Sequence, residues 1–153
     1  EKEEVLKVKA ISHIKAYKLD FTHEKTDYVL GLAFISNKLH GRIKKREEDF
    51  QPFVNITKAM VLFGSYITSK KEPGDLDVLF IVDQAKFEEF KKILKKVQGL
   101  VPIPIQDVVQ TLKDIKENLK KEDAVISEVI QKGIVLSGYD ILVEVVKHVT
   151  RKN

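Results

Sequence analysis

Apolar positions recur along this chain with two periods, and the places where the period changes mark its elements. Between residues 25 and 48, Tyr28, Leu32, Ile35, Leu39 and Ile43 return at steps of three and four, which predicts a helix with one apolar face. Lys38, Lys44, Lys45 and Glu47 fall on the opposite face. Before it, residues 5–21 mix β-branched side chains with lysines. Tyr17, Leu19 and Phe21 alternate there with Lys18 and Asp20, the pattern of a strand, with no evident partner.

Residues 58–63 form a short apolar run stopped by Gly64, and 76–82 form a second; both predict buried strands. Lys70, Lys71, Pro73 and Gly74 between them read as a surface connection. An amphipathic helix follows over 84–97, with Phe87, Phe90, Leu94 and Val97 inward, and Gly99 ends it. Residues 101–110 predict a third strand whose start, carrying Pro102 and Pro104, lies at an edge. Thr111 is placed to cap a helix built on Leu112, Ile115 and Leu119. The next helix uses Val125, Ile126, Val129 and Ile130, with Gly133 as its expected left-handed C-cap. Residues 134–136 make a last short strand, and Gly138 opens a final helix ending near His148. Strands alternating with helices predict an α/β (α+β) fold, a small mixed sheet packed with helices. Residues 1–50 read as a strand and helix extension, and 51–153 as the main domain. The chain starts with Glu1 rather than Met, so the extension is expected to be a link to an upstream domain.

Composition narrows the class. A chain of 153 residues with 43% hydrophobic and 33% charged positions has the balance of an ordinary folded domain. The longest apolar run, 29–35, is too short to cross a bilayer, and no secretory leader is visible, so a cytoplasmic protein without membrane contact is expected. The absence of cysteine removes disulfides and thiolate metal sites. Abundant Lys and Glu without Cys or Trp resembles archaeal, hyperthermophile usage. A net charge of +4, spread among interleaved acids, suits phosphate-bearing ligands better than a long nucleic-acid track.

The chemistry concentrates in VLFGSYITSKKEPGDLDVLFIVD, residues 61–83. One apolar strand ends in Gly64-Ser65 and another begins at Asp75. If the two strands are antiparallel neighbours, Ser65, Asp75 and Asp77 meet at one sheet edge. Asp75 and Asp77, two apart on a strand, share a face with Cβ atoms roughly 6–7 Å apart. Two bare carboxylates so placed repel, and a divalent cation removes the cost. Gly64 permits close backbone approach, and Ser65 with neighbouring N–H groups could receive phosphate oxygens. Taken singly, a Gly-Ser pair is usually a turn and an Asp-x-Asp is usually solvated; abutting two apolar strands, they point to phosphoryl or nucleotidyl transfer. The histidines, His13, His23, His40 and His148, show no metal-ligand spacing. Tyr66 and Tyr139 would either flank a base or simply pack.

Phe63, Gly64, Ser65, Asp75, Leu76, Asp77 and Val78 resemble the signature of the polymerase-beta-like nucleotidyltransferase superfamily, closest to the minimal nucleotidyltransferase domains of archaea and bacteria. The segment 128–139 is similar to the helix-Gly-strand ending of those domains, so the likeness spans about residues 55–145. It implies that 51–153 is a nucleotidyltransferase-like domain. It further implies that Ser65 contacts the terminal phosphates of a nucleoside triphosphate such as ATP, and that Asp75 and Asp77 hold Mg2+ (or Mn2+). It also implies a third carboxylate on a later strand. Asp107 is the match, as metal ligand or as base for the acceptor hydroxyl; otherwise it is a strand-end acid reaching solvent or capping the next helix. Where relatives follow Gly-Ser with a small residue, Arg and Gly, this chain has Tyr66, Ile67, Thr68 and Ser69, so Lys70 or Lys71 would supply the cofactor-site charge. The acceptor implied is a protein, an RNA or a small molecule. The alternative implied is a regulatory nucleotide-binding module, an antitoxin-like partner of a helical protein or the effector of a DNA-binding domain lying upstream. A homodimer through the 28–43 stripe is compatible with either.

Overall fold

The computed structural model describes residues 5–35, 41–68 and 73–150. Its centre is a four-stranded mixed sheet. The strands are β3 (Thr57–Phe63), β4 (Leu76–Val82), β5 (Ile105–Gln110) and β6 (Ile134–Ser137), preceded in the chain by β1 (Leu6–Ile11) and β2 (Ile14–Leu19). The order across the sheet is β5-β4-β3-β6; β3 is antiparallel to both its neighbours, and β4 and β5 run parallel. The parallel pair needs a crossover, and α4 (Phe87–Gln98) supplies it.

Both central strands are covered on both faces, which is why their sequences read as unbroken apolar runs. One face sends Met60, Leu62, Val78, Phe80 and Val82 into a core shared with Phe90 and Val97 of α4, and with Ile43 of α2 (Gly41–Asp49). Phe50, Phe53, Phe80 and Phe90 form the centre of this core, with the Phe53–Phe80 and Phe80–Phe90 ring centroids both 4.9 Å apart. The other face sends Ala59, Val61, Leu79 and Ile81 against α5 (Leu112–Lys120), α6 (Ala124–Lys132) and α7 (Tyr139–Thr150). The result is three layers: helices, sheet, helices. Among the described residues it matches the expected α/β class, with seven helices, a mixed sheet and a separate two-stranded one.

Helix starts follow the sequence closely. Thr111 caps α5 in a reciprocal box: its Oγ1 accepts from the Asp114 N–H at 3.2 Å, and Asp114 Oδ2 accepts from the Thr111 N–H at 3.2 Å. The Thr111 hydroxyl also donates to Asp114 Oδ2 at 2.7 Å, and together with the N–H it holds the Asp114 carboxyl below its usual range. Asp123 caps α6 by accepting from the Ile126 N–H at 3.0 Å.

Three expectations need correction. Gly133 is not a left-handed cap, because its φ is −64°. A Cβ there would overlap the Val129 carbonyl oxygen and Val61 Cγ1, so glycine serves the close approach of α6 to β3 rather than a change of handedness. The strand expected within 5–21 does have a partner inside the same segment. Residues 5–21 fold into a hairpin, β1 antiparallel to β2 with Leu6 opposite Leu19 and Ile11 opposite Ile14. Its two-residue reversal uses Ser12 at φ 56°, without the Asn-Gly or Asp-Gly that would have signalled it.

The third correction concerns the stripe over 28–43, which is not one buried face. It is divided between α1 (Thr26–Ile35) and α2, and Leu39 lies outside the described residues. α1 turns Thr26 and Leu30 inward, with Phe34 packed on the second core, and leaves Tyr28 at 75% and Leu32 at 66% exposure. The helix is apolar almost all round, so periodicity alone could not choose its face. In α2, Ile43 is buried and the buried Arg46 meets Asp49 one turn on at 3.0 Å.

Candidate functional site

The antiparallel register of β3 and β4 places Phe63, the last residue of β3, directly opposite Asp77 near the start of β4. The convergence that the sequence required of these two strands is therefore present. Gly64 follows at φ 70°, and α3 (Ser65–Thr68) begins at once. A Cβ on Gly64 would overlap Asp77 Oδ2 and crowd Asp77 Cγ at 2.8 Å. The bend thus needs glycine twice, for its left-handed backbone and for the carboxylate that fills the space of a side chain. The Ser65 backbone N–H donates to that carboxylate. The Ser65 side chain is exposed, and Thr68 Oγ1 turns back to donate to the Gly64 carbonyl at 3.0 Å.

Asp77 stands on the sheet face of Leu79 and Ile81, and Leu76 beside it is fully buried on the opposite face. Burial pushes the Asp77 carboxyl above its usual 3.8, and the charge of Asp75 pushes it further; the Ser65 N–H acts against both, and Glu128 on α6 adds a smaller upward push. Asp77 is therefore an acid whose ionised form lacks full compensation from the protein. Positive charge from outside would relieve it.

Asp107 does not join this group. The parallel register of β4 and β5 puts Gln106 opposite Asp77, and Asp107 opposite Val78. Successive side chains alternate across a sheet, so Asp107 belongs to the other face, with Ile105 and Val109 of the first core, and it is exposed. Sequence reading found the correct strand and the wrong face. The alternation of Ile105 and Val109 around Asp107 carried that information, but only the register shows which face Asp77 occupies. Lys70 and Lys71 lie outside the described residues. Tyr66 is buried in the first core, and the Tyr139 hydroxyl donates to the Val135 carbonyl at 2.9 Å; both are packing residues. Glu128 was missed as a neighbour of Asp77 because it comes from a helix fifty residues later in the chain, which periodicity places on α6 but not over β4.

Do these residues fit a divalent cation? Among the described residues no three His, Asp or Glu side chains converge into a complete protein-made metal site. Magnesium does not require one: one or two carboxylates, with water and substrate phosphates, are its ordinary shell. Asp75 and Asp77, the latter disfavoured as a bare anion, meet that requirement. A hollow lined by Gln84, Phe87, Glu88, Thr111, Lys113 and Asp114 lies at the opposite end of β4 and β5. Its acids already have partners, Glu88 with Lys91 at 3.2 Å and Asp114 with the Thr111 donors, so the chemistry favours the Asp77 end.

The model of a family described as "Family of unknown function (DUF6932)" matches residues 37–138, two thirds of the chain. The chain belongs to that family. The matched region runs through α2, the Gly64 bend, Asp75, Asp77 and Glu128 to the end of β6, so it contains the whole candidate site. No curated protein and no solved structure matches the chain. Among the described residues no helix is long and apolar enough to cross a membrane.

Proposed function

We propose that this chain transfers a nucleoside monophosphate from a nucleoside triphosphate such as ATP to a hydroxyl acceptor, with magnesium as cofactor. The observation that carries the reading is the seating of the Gly64-Ser65 bend on Asp77, with Asp75 beside it. Asp75 and Asp77 would hold Mg2+ (or Mn2+), which when bound neutralises phosphate charge. The Ser65 hydroxyl, which is exposed, would donate to terminal phosphate oxygens. In the transfer, the acceptor oxygen bonds to the α-phosphorus and gives up its proton to solvent while the bond to the β-phosphate bridge breaks, releasing pyrophosphate. The protein's share is orientation and charge compensation, which dominate catalysis in this class of reaction.

A second reading has its own observation. Gln106, an amide, occupies the β5 position opposite Asp77, where a third carboxylate would complete the site. That favours a module that binds a nucleotide without transferring it. Calorimetric titration with ATP, with and without Mg2+, followed by incubation with α-labelled ATP and candidate acceptors, separates the two. Magnesium-dependent binding that is lost in Asp75→Asn with Asp77→Asn supports the site. Label transfer then supports the enzyme, and binding without transfer supports the module. No binding, or binding indifferent to both substitutions, overturns both.

A further inference from the structure

The Gly64 bend has two neighbours in the sheet, β4 on one side and β6 on the other. The β4 side brings Asp77. On the β6 side, the antiparallel register pairs Val61 with Val135 and Leu62 with Ile134. Continued past the end of the ladder, that register sets Gly133 alongside Phe63, and Lys132, the last residue of α6, alongside Gly64. The helix end is held there tightly. Gly133 leaves no room for a Cβ against Val61, its N–H donates to the Val129 carbonyl at 2.9 Å, and Ile126 and Val129 are buried in the second core.

One turn before Lys132 on the same side of α6 stands Glu128, and Lys132 Nζ donates to its Oε1 at 3.4 Å. Glu128 is near enough to Asp77 for its charge to be felt there. It is thus linked to Lys132 on one side and to the start of β4 on the other. Among the described residues, the charges that act on Asp77 are Asp75 and Glu128, both negative. Acids account for a magnesium ion and not for what it would carry. A triphosphate with one bound magnesium keeps a net negative charge, which these carboxylates repel. Lys132 brings a cation to the bend. Its side chain is 62% exposed, and an ammonium has three donors, of which Glu128 engages one.

We infer that Lys132 receives the terminal phosphates of the triphosphate, with Glu128 holding its ammonium group beside the Gly64-Ser65 bend. The assignment rests on the nucleotide reading above, and it gives to α6 the charge that sequence reasoning had placed at Lys70 or Lys71. Lys113 and Glu117 form a pair of the same spacing on α5, 4.0 Å apart, and that pair is an ordinary solvated one. The pair on α6 differs in place: its helix end is seated against β3 next to the bend, and its acid reaches toward Asp77. An exposed ion pair adds little to stability, so the ammonium can turn from one carboxylate oxygen to a phosphate oxygen at small cost. Charge-assisted hydrogen bonds to phosphate are strong ones.

The test is calorimetric titration of the whole chain with ATP and with AMP at fixed excess Mg2+, for the wild type, Lys132→Ala and Lys132→Arg. Lys132 is exposed, so an unchanged thermal midpoint should confirm that both variants fold. Lys132→Ala is expected to bind ATP on the order of tenfold more weakly or worse, and AMP as the wild type does. Lys132→Arg keeps the charge and should retain most of the ATP affinity. If Lys132→Ala binds ATP as tightly as the wild type, while Asp75→Asn with Asp77→Asn abolishes binding, the inference is overturned and the nucleotide reading stands. A loss that is equal for ATP and AMP also overturns it, because the lysine then acts on the nucleoside rather than the phosphates. A wild type that binds neither nucleotide overturns the reading underneath, and the inference with it.

Discussion

The chain contains two antiparallel strand pairs joined by nearby sequence, and they have opposite fates. β3 and β4 are covered on both faces and carry no lysine after Lys58; β1 and β2 alternate lysines with apolar residues and are exposed almost throughout. The two environments act on the same residue type in opposite directions. Asp77, at the start of β4, has its carboxyl pushed up by burial and by Asp75. Asp20, just after β2, has its carboxyl pulled down to about 2 by Thr22 donors at 3.0 and 2.6 Å and by Lys7. One aspartate is held against its charge, the other is satisfied by its own neighbours. An acid that the fold tolerates without fully compensating is what the proposed cation site asks for, since function commonly accepts a local cost in stability.

The contrast can be broken or sharpened by substitution. The largest effect is expected in the body: Phe80→Ala empties the centre of the ring cluster and should cost about 3–5 kcal/mol. Tyr17→Ala in the hairpin should leave the unfolding free energy unchanged when both proteins are compared as monomers. Denaturant midpoints check this, and equal losses in the two regions would erase the distinction.

A smaller effect of opposite sign is expected at the site. The folded value of Asp77 is raised, so its ionised form destabilises the fold at neutral pH, and the penalty disappears once pH falls below the unfolded value of 3.8. Asp77→Asn, in the presence of chelator, should therefore stabilise the protein at pH 7, read as a higher thermal midpoint than the wild type's. At pH 3.5 the advantage should vanish. A destabilised variant at pH 7 would show that Asp77 is structural rather than held for a ligand.

The smallest effect belongs to Asp20. Its folded value lies below the unfolded one, so its contribution is complete above 3.8 and is lost as pH falls through about 2. Hairpin amide resonances should shift over that window while those of β3 and β4 stay fixed, and Asp20→Asn should reproduce the shift at neutral pH without moving the global melting temperature. A hairpin insensitive to both would remove its assigned anchor.

How much of this was legible beforehand varied with the physics involved. β3, β4, α4 and the Thr111 cap could be read because burial on two faces, helical periodicity and capping chemistry are local properties of the sequence. So could the nearness of Gly64 and Ser65 to Asp77, which follows once two consecutive strands are antiparallel. The hairpin partner was hidden by a Ser12 turn without the customary residues. The outward face of α1 was hidden because Leu30 and Phe34 compete with Tyr28 and Leu32 for the core on equal terms.

The sequence alone determined the elements from β3 onward, the apolar runs of β3 and β4, and the pair of acids beside a glycine bend, because each depends on residues within a few positions of one another. Tertiary structure alone decided that Gln106 rather than Asp107 stands opposite Asp77, that Glu128 approaches from α6, and which side of α1 stays outside. Those outcomes depend on register between strands and on which surface a helix meets. Alternation along one segment constrains such relations without fixing them, since a shift of one residue carries every side chain to the other face.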